Sequence, residues 1–131
     1  MSNNYSKQRE IVLETIKNTY THPTAEQIYE MVSMVDPKIS KSTVYRNINI
    51  LVENEQIEKI SMKLGPDRFD YIHKPHHHAV CEICGKVVDF NYELEKNKII
   101  KSIKEQTKFE TKLNCITIYG ICENCKSKNK I

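Results

Sequence analysis

The stretch "HKPHHHAVCEICGKVVDF", His73 to Phe90, gathers four of the chain's five histidines, two of its five cysteines and Asp89. Imidazole nitrogen, thiolate sulfur and carboxylate oxygen are the donor atoms that proteins offer to transition metals. The cysteines carry the sharper pattern. Cys81-x2-Cys84 is matched downstream by Cys122-x2-Cys125, and four thiolates in two such knuckles close a tetrahedral zinc shell with no open position. A shell of that kind is structural. Two redox-active CxxC pairs would each need a thiolate stabilised by a helix N-terminus or by positive neighbours. Two motifs so close together favour zinc instead. Cys115, the fifth cysteine, sits in an apolar segment and is expected to behave as a buried small hydrophobe.

Side chains two apart on a strand share a face, so His76 and His78 are expected to point together and His77 away from them. Apart from Glu82 inside the knuckle, Asp70 and Asp89 are the carboxylates nearest that pair along the chain. Nitrogen with oxygen donors suits iron(II), manganese(II) or zinc. A second metal on His76 and His78 follows as an expectation, while His73 and His77 are expected to be solvated. Spacing alone names no more distant ligand.

The elements that must hold these groups fall into two textures, changing near Lys74-Pro75, so that residues 1–74 and 75–131 form two small domains. The chain has 131 residues, 39% of them hydrophobic, enough for a modest core. Residues 6–18 place Ile11, Val12 and Ile16 at helical spacing. In "HPTAEQIYEMVSMV", Thr24 and Gln27 make a capping box, and Ile28, Met31, Val32 and Val35 form one apolar stripe, ended by Asp36-Pro37. A third helix starts at Ser40 or Ser42 and runs to about Asn54, burying Val44, Ile48, Leu51 and Val52. "QIEKISMKL" and "RFDYI" then read as strands around "GPD". Three helices and a hairpin make a winged helix-turn-helix.

The outward face of the third helix carries Ser42, Arg46, Asn49 and Glu53, flanked by Thr43 and Tyr45. In a major groove, Arg reads guanine, Asn reads adenine, and the hydroxyls meet phosphate. The same face also suits plain solvation or a protein partner. Charge does not decide between them: the net charge is only +3, with ten basic and ten acidic residues up to Lys74, and ten against seven beyond it.

Beyond Pro75, "HHHAV" and "KVVDF" read as strands, "YELEKNKIIKSIKEQ" as a helix through Leu94, Ile99, Ile100 and Ile103, and "KFETKLNCITIYGI" as a strand. So small an α+β unit is marginal by itself and needs metal or oligomerisation to supply the rest. Zinc binding worth roughly 10–16 kcal/mol in peptide systems is of the right size. The tail "KSKNKI" is expected to be a solvated, frayed end. The chain has no long apolar run and no signal-peptide core, and is expected to be cytoplasmic. Paired cysteines in a reducing cytosol are more often ligands than disulfides.

In order along the chain, "HPTAEQIY", "STVYRNI", "RFDYI", "HHHAVCEICGKVVDF" and "YGICENC" resemble the successive motifs of the ferric uptake regulator (Fur) superfamily of metal-dependent repressors, over about Ser6 to Lys126. The peroxide-responsive branch (PerR) is the most similar. The resemblance implies a homodimer that binds double-stranded operator DNA through an N-terminal winged helix. It also implies a C-terminal α/β dimerisation domain with structural zinc on Cys81, Cys84, Cys122 and Cys125. It further implies a regulatory iron or manganese held by His22 of "HPT", Asp70 of "RFD", His76, His78 and Asp89 of "VVDF". In that branch iron-catalysed peroxide reduction oxidises a ligand histidine, here His22 or His76, to 2-oxo-histidine, and metal and operator are released. Manganese leaves a repressor insensitive to peroxide.

Two departures accompany the likeness. Family members usually have a further helix before "YSKQREIVL", and Arg46 stands where peroxide sensors often carry Asn and iron-uptake regulators more often Arg. An iron-responsive repressor of uptake genes is therefore the competing expectation. An enzyme is not expected: a zinc deaminase needs Glu two residues after a ligand His, whereas His76 is followed by His77 and His78, and no base and oxyanion pair is recognisable. Thiol redox chemistry at the knuckles is the remaining alternative.

Overall fold

A computed structural model describes residues 3–72, 76–113 and 115–128. His73 and the expected boundary at Lys74-Pro75 lie outside the described residues. The chain divides into two compact units, Met1–His73 and Lys74–Ile131. No helix among the described residues is long and apolar enough to cross a membrane.

The first unit comprises α1 (Asn3–Lys17), α2 (Ala25–Val35), α3 (Lys41–Glu53), β1 (Ile57–Ile60) and β2 (Arg68–Tyr71). The capping box at the start of α2 is complete: Gln27 N–H donates to Thr24 Oγ1 at 3.2 Å, and Thr24 N–H donates to Gln27 Oε1 at 2.9 Å. These two bonds satisfy donors that the first turn would otherwise leave unpaired. Ser40, not Ser42, caps α3, its Oγ accepting from Thr43 N–H at 3.1 Å. Helices 1 to 3 turn Val12, Ile16, Ile28, Val32, Val44, Ile48 and Leu51 into one core, closed by Ile57 and Phe69 of the hairpin.

Two details differ from the periodic pattern. Val35 shares the α2 stripe by spacing, yet as the last residue of its helix it lies 66% exposed, at the rim of a groove lined by Lys7, Ile11 and Glu14. Asn47 faces inward and is buried. It accepts from Arg9 Nε at 3.2 Å and donates to Thr43 O at 3.0 Å, so a polar side chain fastens α1 to α3. Buried polar atoms must be paired in this way, and a periodicity of apolar residues does not reveal them.

In the hairpin, β1 and β2 pair antiparallel with Ile57 opposite Tyr71 and Glu58 opposite Asp70. The loop before α2 runs beside β2: Phe69 N–H donates to Pro23 O at 2.9 Å and Thr24 bridges Arg68. That lateral pairing fixes where His22 lies relative to Asp70.

The second unit holds β3 (His77–Cys81), β4 (Val87–Phe90), α4 (Lys96–Thr107), β5 (Thr117–Gly120) and α5 (Glu123–Lys128). Its sheet has the order β4-β3-β5, with β4 antiparallel and β5 parallel to β3. A parallel neighbour demands a long crossover, and α4 lies within it. The strand expected over residues 108–121 is confined to Thr117–Gly120, so Cys115 lies outside it and is only half-buried. Where a frayed tail was expected from Lys126, α5 continues to Lys128, starting inside the second knuckle.

Burial in this unit is sparse. Its buried residues among those described are His77, His78, Val80, Cys81 and Cys125. No residue of α4 is fully buried.

The first unit's core should therefore be sensitive to truncation. Leu51→Ala is expected to lower its stability by about 2–5 kcal/mol, and Thr24→Ala by about 1 kcal/mol through the lost cap, both read as shifts of a urea midpoint at constant slope.

Candidate metal centres and nucleic-acid helix

The two knuckles come together. One sulfur from each of Cys81, Cys84, Cys122 and Cys125 lies within 4.8 Å of all the others, and the Cys84 and Cys122 sulfurs are 3.8 Å apart. Zinc with Zn–S of about 2.3 Å in a tetrahedron separates its sulfurs by about 3.8 Å, so the cluster fits that ion. Gly85, at φ +79°, makes the turn after the first knuckle, where a side chain would be strained.

The sulfurs are set for thiolate. Cys81 Sγ accepts from the N–H groups of Ile83 at 3.4 Å, Cys84 at 3.5 Å and Cys122 at 3.4 Å. These backbone donors, those of Cys84 and Cys122 foremost, pull the Cys81 thiol down to about 6. Cys122 is lowered too, first by the Cys125 N–H. Cys125 moves the other way, pushed up to about 12, first by burial and then by hydrogen bonds with its sulfur neighbours. A second thiolate beside the first is unfavourable until a cation is present, and metal binding must release the Cys125 proton.

Two further clusters offer nitrogen and oxygen. In the first unit, His22 Nε2 lies 3.5 Å from Asp70 Oδ2, and both side chains are about nine-tenths buried. His22 takes a left-handed φ of +55°, uncommon for a residue with a side chain. The backbone bond from Phe69 to Pro23 places the residue before Pro23 beside the residue after Phe69. In the second unit, His76 Nε2 and His78 Nε2 are 3.1 Å apart, and Asp89 Oδ1 lies 3.8 Å from the first and 3.3 Å from the second. Sheet register explains the convergence: His78 is paired with Asp89 across the antiparallel ladder, so their side chains rise on one face. Two imidazole nitrogens and a carboxylate oxygen aimed at one point are a donor set for iron, manganese or zinc.

His77 is not solvated as the alternation suggested. It points to the other face, as expected, but that face is covered and His77 is only 3% exposed. Its Nε2 is 2.8 Å from Tyr92 O, its Nδ1 accepts from Ile116 N–H at 3.1 Å, and its ring meets Phe90 at 5.3 Å.

On α3, Ser42, Tyr45, Arg46, Asn49 and Glu53 are exposed together. Thr43 is half-buried, and its hydroxyl accepts from Ser40 Oγ at 2.7 Å, which engages it in the cap. The outward face of α3 thus presents one Arg and one Asn among exposed polar side chains.

Comparison with known proteins places these features. The family model described as "Ferric uptake regulator family" matches residues 2–119. The peroxide-responsive repressor PerR of Staphylococcus aureus is 34% identical over 121 residues, spanning 92% of this chain and 81% of that protein. Among solved structures, the ferric uptake regulator Fur of Helicobacter pylori superposes with a TM-score of 0.74 at 26% identity, covering 95% of this chain and 85% of that one. It is described as having three functional metal binding sites. The peroxide stress regulator of Campylobacter jejuni shares the fold, with a TM-score of 0.73 at 24% identity over 94% and 92% of the two chains.

The cysteine cluster should govern the second unit's stability, because so little apolar surface is buried there. Stripping zinc with a chelator is expected to expose four alkylatable thiols and to melt β3 to β5 while helical signal from α1 to α3 persists. Amide hydrogen exchange mapped by peptide checks this; unchanged protection across residues 77–120 in the stripped chain would refute a structural role.

Proposed function

The chain belongs to the ferric uptake regulator family of metal-responsive repressors, and on that premise we propose that it senses hydrogen peroxide. In this reading it acts in the cytoplasm as a homodimer on double-stranded operator DNA, with zinc on Cys81, Cys84, Cys122 and Cys125. One regulatory iron(II) or manganese(II) is held by His22, Asp70, His76, His78 and Asp89. The observation that carries it is the convergence of His76, His78 and Asp89 within 3.8 Å. The 34% identity to a peroxide-responsive repressor, over most of both chains, supports the peroxide assignment.

The regulatory shell takes ligands from both units. Metal therefore favours one arrangement of the two and shifts the population toward it. Paired in a dimer, two α3 helices then meet two half-sites through Ser42, Thr43, Tyr45, Arg46 and Asn49. The uncovered apolar side chains of the second unit, Val88 and Ile118 on its sheet and Ile99 on α4, suit a surface that a second copy covers.

Bound iron(II) would activate peroxide beside the imidazoles as a catalyst, the imidazole that is oxidised being the net two-electron donor. The side chains of His22 and His76 are 12% and 15% exposed, whereas His78 is wholly enclosed. Small oxidants reach the first two more readily. Insertion of one oxygen atom into either imidazole gives 2-oxo-histidine, with water as the other product. That removes a ligand, and the repressing arrangement loses its support.

An iron-responsive repressor, indifferent to peroxide, is the second reading. It is favoured by Arg46 on the exposed face of α3 and by the likeness to the Helicobacter pylori regulator.

Anaerobic loading with iron(II) or manganese(II), followed by peroxide, separates the two. Operator binding should be lost only in the iron form, with one oxygen atom added to the peptide carrying His22 or His76. Unchanged binding and mass in the iron form would leave the iron-responsive reading. Arg46→Ala is expected to cost about 1–3 kcal/mol at one operator position; a uniform loss over all sequences, measured by competition, would make it a phosphate contact instead.

A further inference from the structure

Every position of the second unit's metal half-site depends on strand register. Asp89 reaches His78 because the two are paired across β3 and β4, and a slip of one residue would send Asp89 to the opposite face. The strands are only five, four and four residues long, and there is little apolar packing to hold them. Some other interaction must fix the register.

His77 is the group that touches all three strands' surroundings at once. It lies on β3 between the two ligand histidines, with its ring on the face opposite theirs. Ile116 N–H, just before β5, donates to Nδ1 at 3.1 Å. A ring nitrogen that accepts carries no proton, so the hydrogen is on Nε2, which donates to Tyr92 O at 2.8 Å, just after β4. Phe90, its register partner on β4, lies against the ring. The carbonyl of Ile116 accepts from His78 N–H at 3.1 Å, so that residue is held to β3 through both its N–H and its carbonyl.

We propose that His77 is a positioning residue for the regulatory metal: one buried imidazole, bonded to the chain after β4 and the chain before β5, locks the register that keeps Asp89 beside His76 and His78. The inference rests on the metal reading above. His77 touches no metal and reaches it only through the placement of its neighbours. Both ring nitrogens are used, one as donor and one as acceptor, and no aliphatic side chain supplies both. Residues that orient ligands in this indirect way commonly alter metal affinity by about 10–100-fold.

Three variants of the full, zinc-loaded chain test it. His77→Ala removes both bonds. His77→Asn keeps an acceptor near the Nδ1 position, and His77→Gln keeps a donor near Nε2. Manganese(II) affinity is measured by its electron paramagnetic resonance signal, zinc content by metal analysis, and protection of Ile116 N–H by hydrogen exchange. The expected result is about a tenfold or greater loss of manganese affinity in His77→Ala with zinc content unchanged. His77→Asn should regain Ile116 protection and part of the affinity, and His77→Gln should regain affinity without that protection.

Wild-type affinity in all three variants would overturn the proposal. So would an equal loss in all three accompanied by loss of zinc, which would make His77 an ordinary core residue. His76→Ala is the separating control. If it binds manganese as tightly as the unaltered chain, the metal reading itself fails and the positioning role falls with it. If it loses manganese while His77→Ala does not, only the positioning role fails.

Discussion

Four sulfur atoms held within 4.8 Å of one another are the constraint on which the second unit depends. Two of the five buried residues among those described in it are cysteines of that cluster. Crowded thiolates repel unless a cation sits among them, and the backbone donors that ionise Cys81 are countered by the burial that keeps Cys125 protonated. A zinc ion resolves both demands, and its binding free energy is of the order that a hydrophobic core would supply in a larger domain. Cys81 ends β3, and Gly120, its register partner on β5, lies two residues before Cys122. The same cluster therefore clamps one end of the strand whose other end carries His78, with His76 just before its first residue.

That arrangement divides labour along a single strand. At one end the ligands are soft and closed, which suits a permanent ion. At the other they are nitrogen and oxygen, with Asp89 half exposed on a short edge strand, which suits an ion that comes and goes. A closed sulfur shell of this kind suits a scaffold role, and an open nitrogen and oxygen set suits an exchanging ion.

The first unit solves a different problem by ordinary means. A capping box, a serine cap and one continuous core fix three helices and a short hairpin. The bond from Arg9 to Asn47 ties α1 to α3, and Asn47 is held in turn by Thr43 O within α3. His22 and Asp70 are brought together by backbone pairing between the loop before α2 and β2, so the bonds that hold that loop to the hairpin also set the imidazole beside its carboxylate.

The sequence by itself determined the helices of the first unit, the Thr24 cap, the two knuckles and the shared face of His76 and His78. All of these follow from local rules: apolar period, capping geometry, ligand spacing and strand alternation. Only the tertiary structure decided that His77 is buried and bonded at both nitrogens, that Asn47 faces inward, that Val35 lies open, and that only Thr117–Gly120 of the long apolar segment joins the sheet. Each of these depends on what covers a residue from elsewhere in the chain. Alternation told that His77 points away from its neighbours, but whether water or Tyr92 and Ile116 meet it there is settled by packing, which no local period encodes.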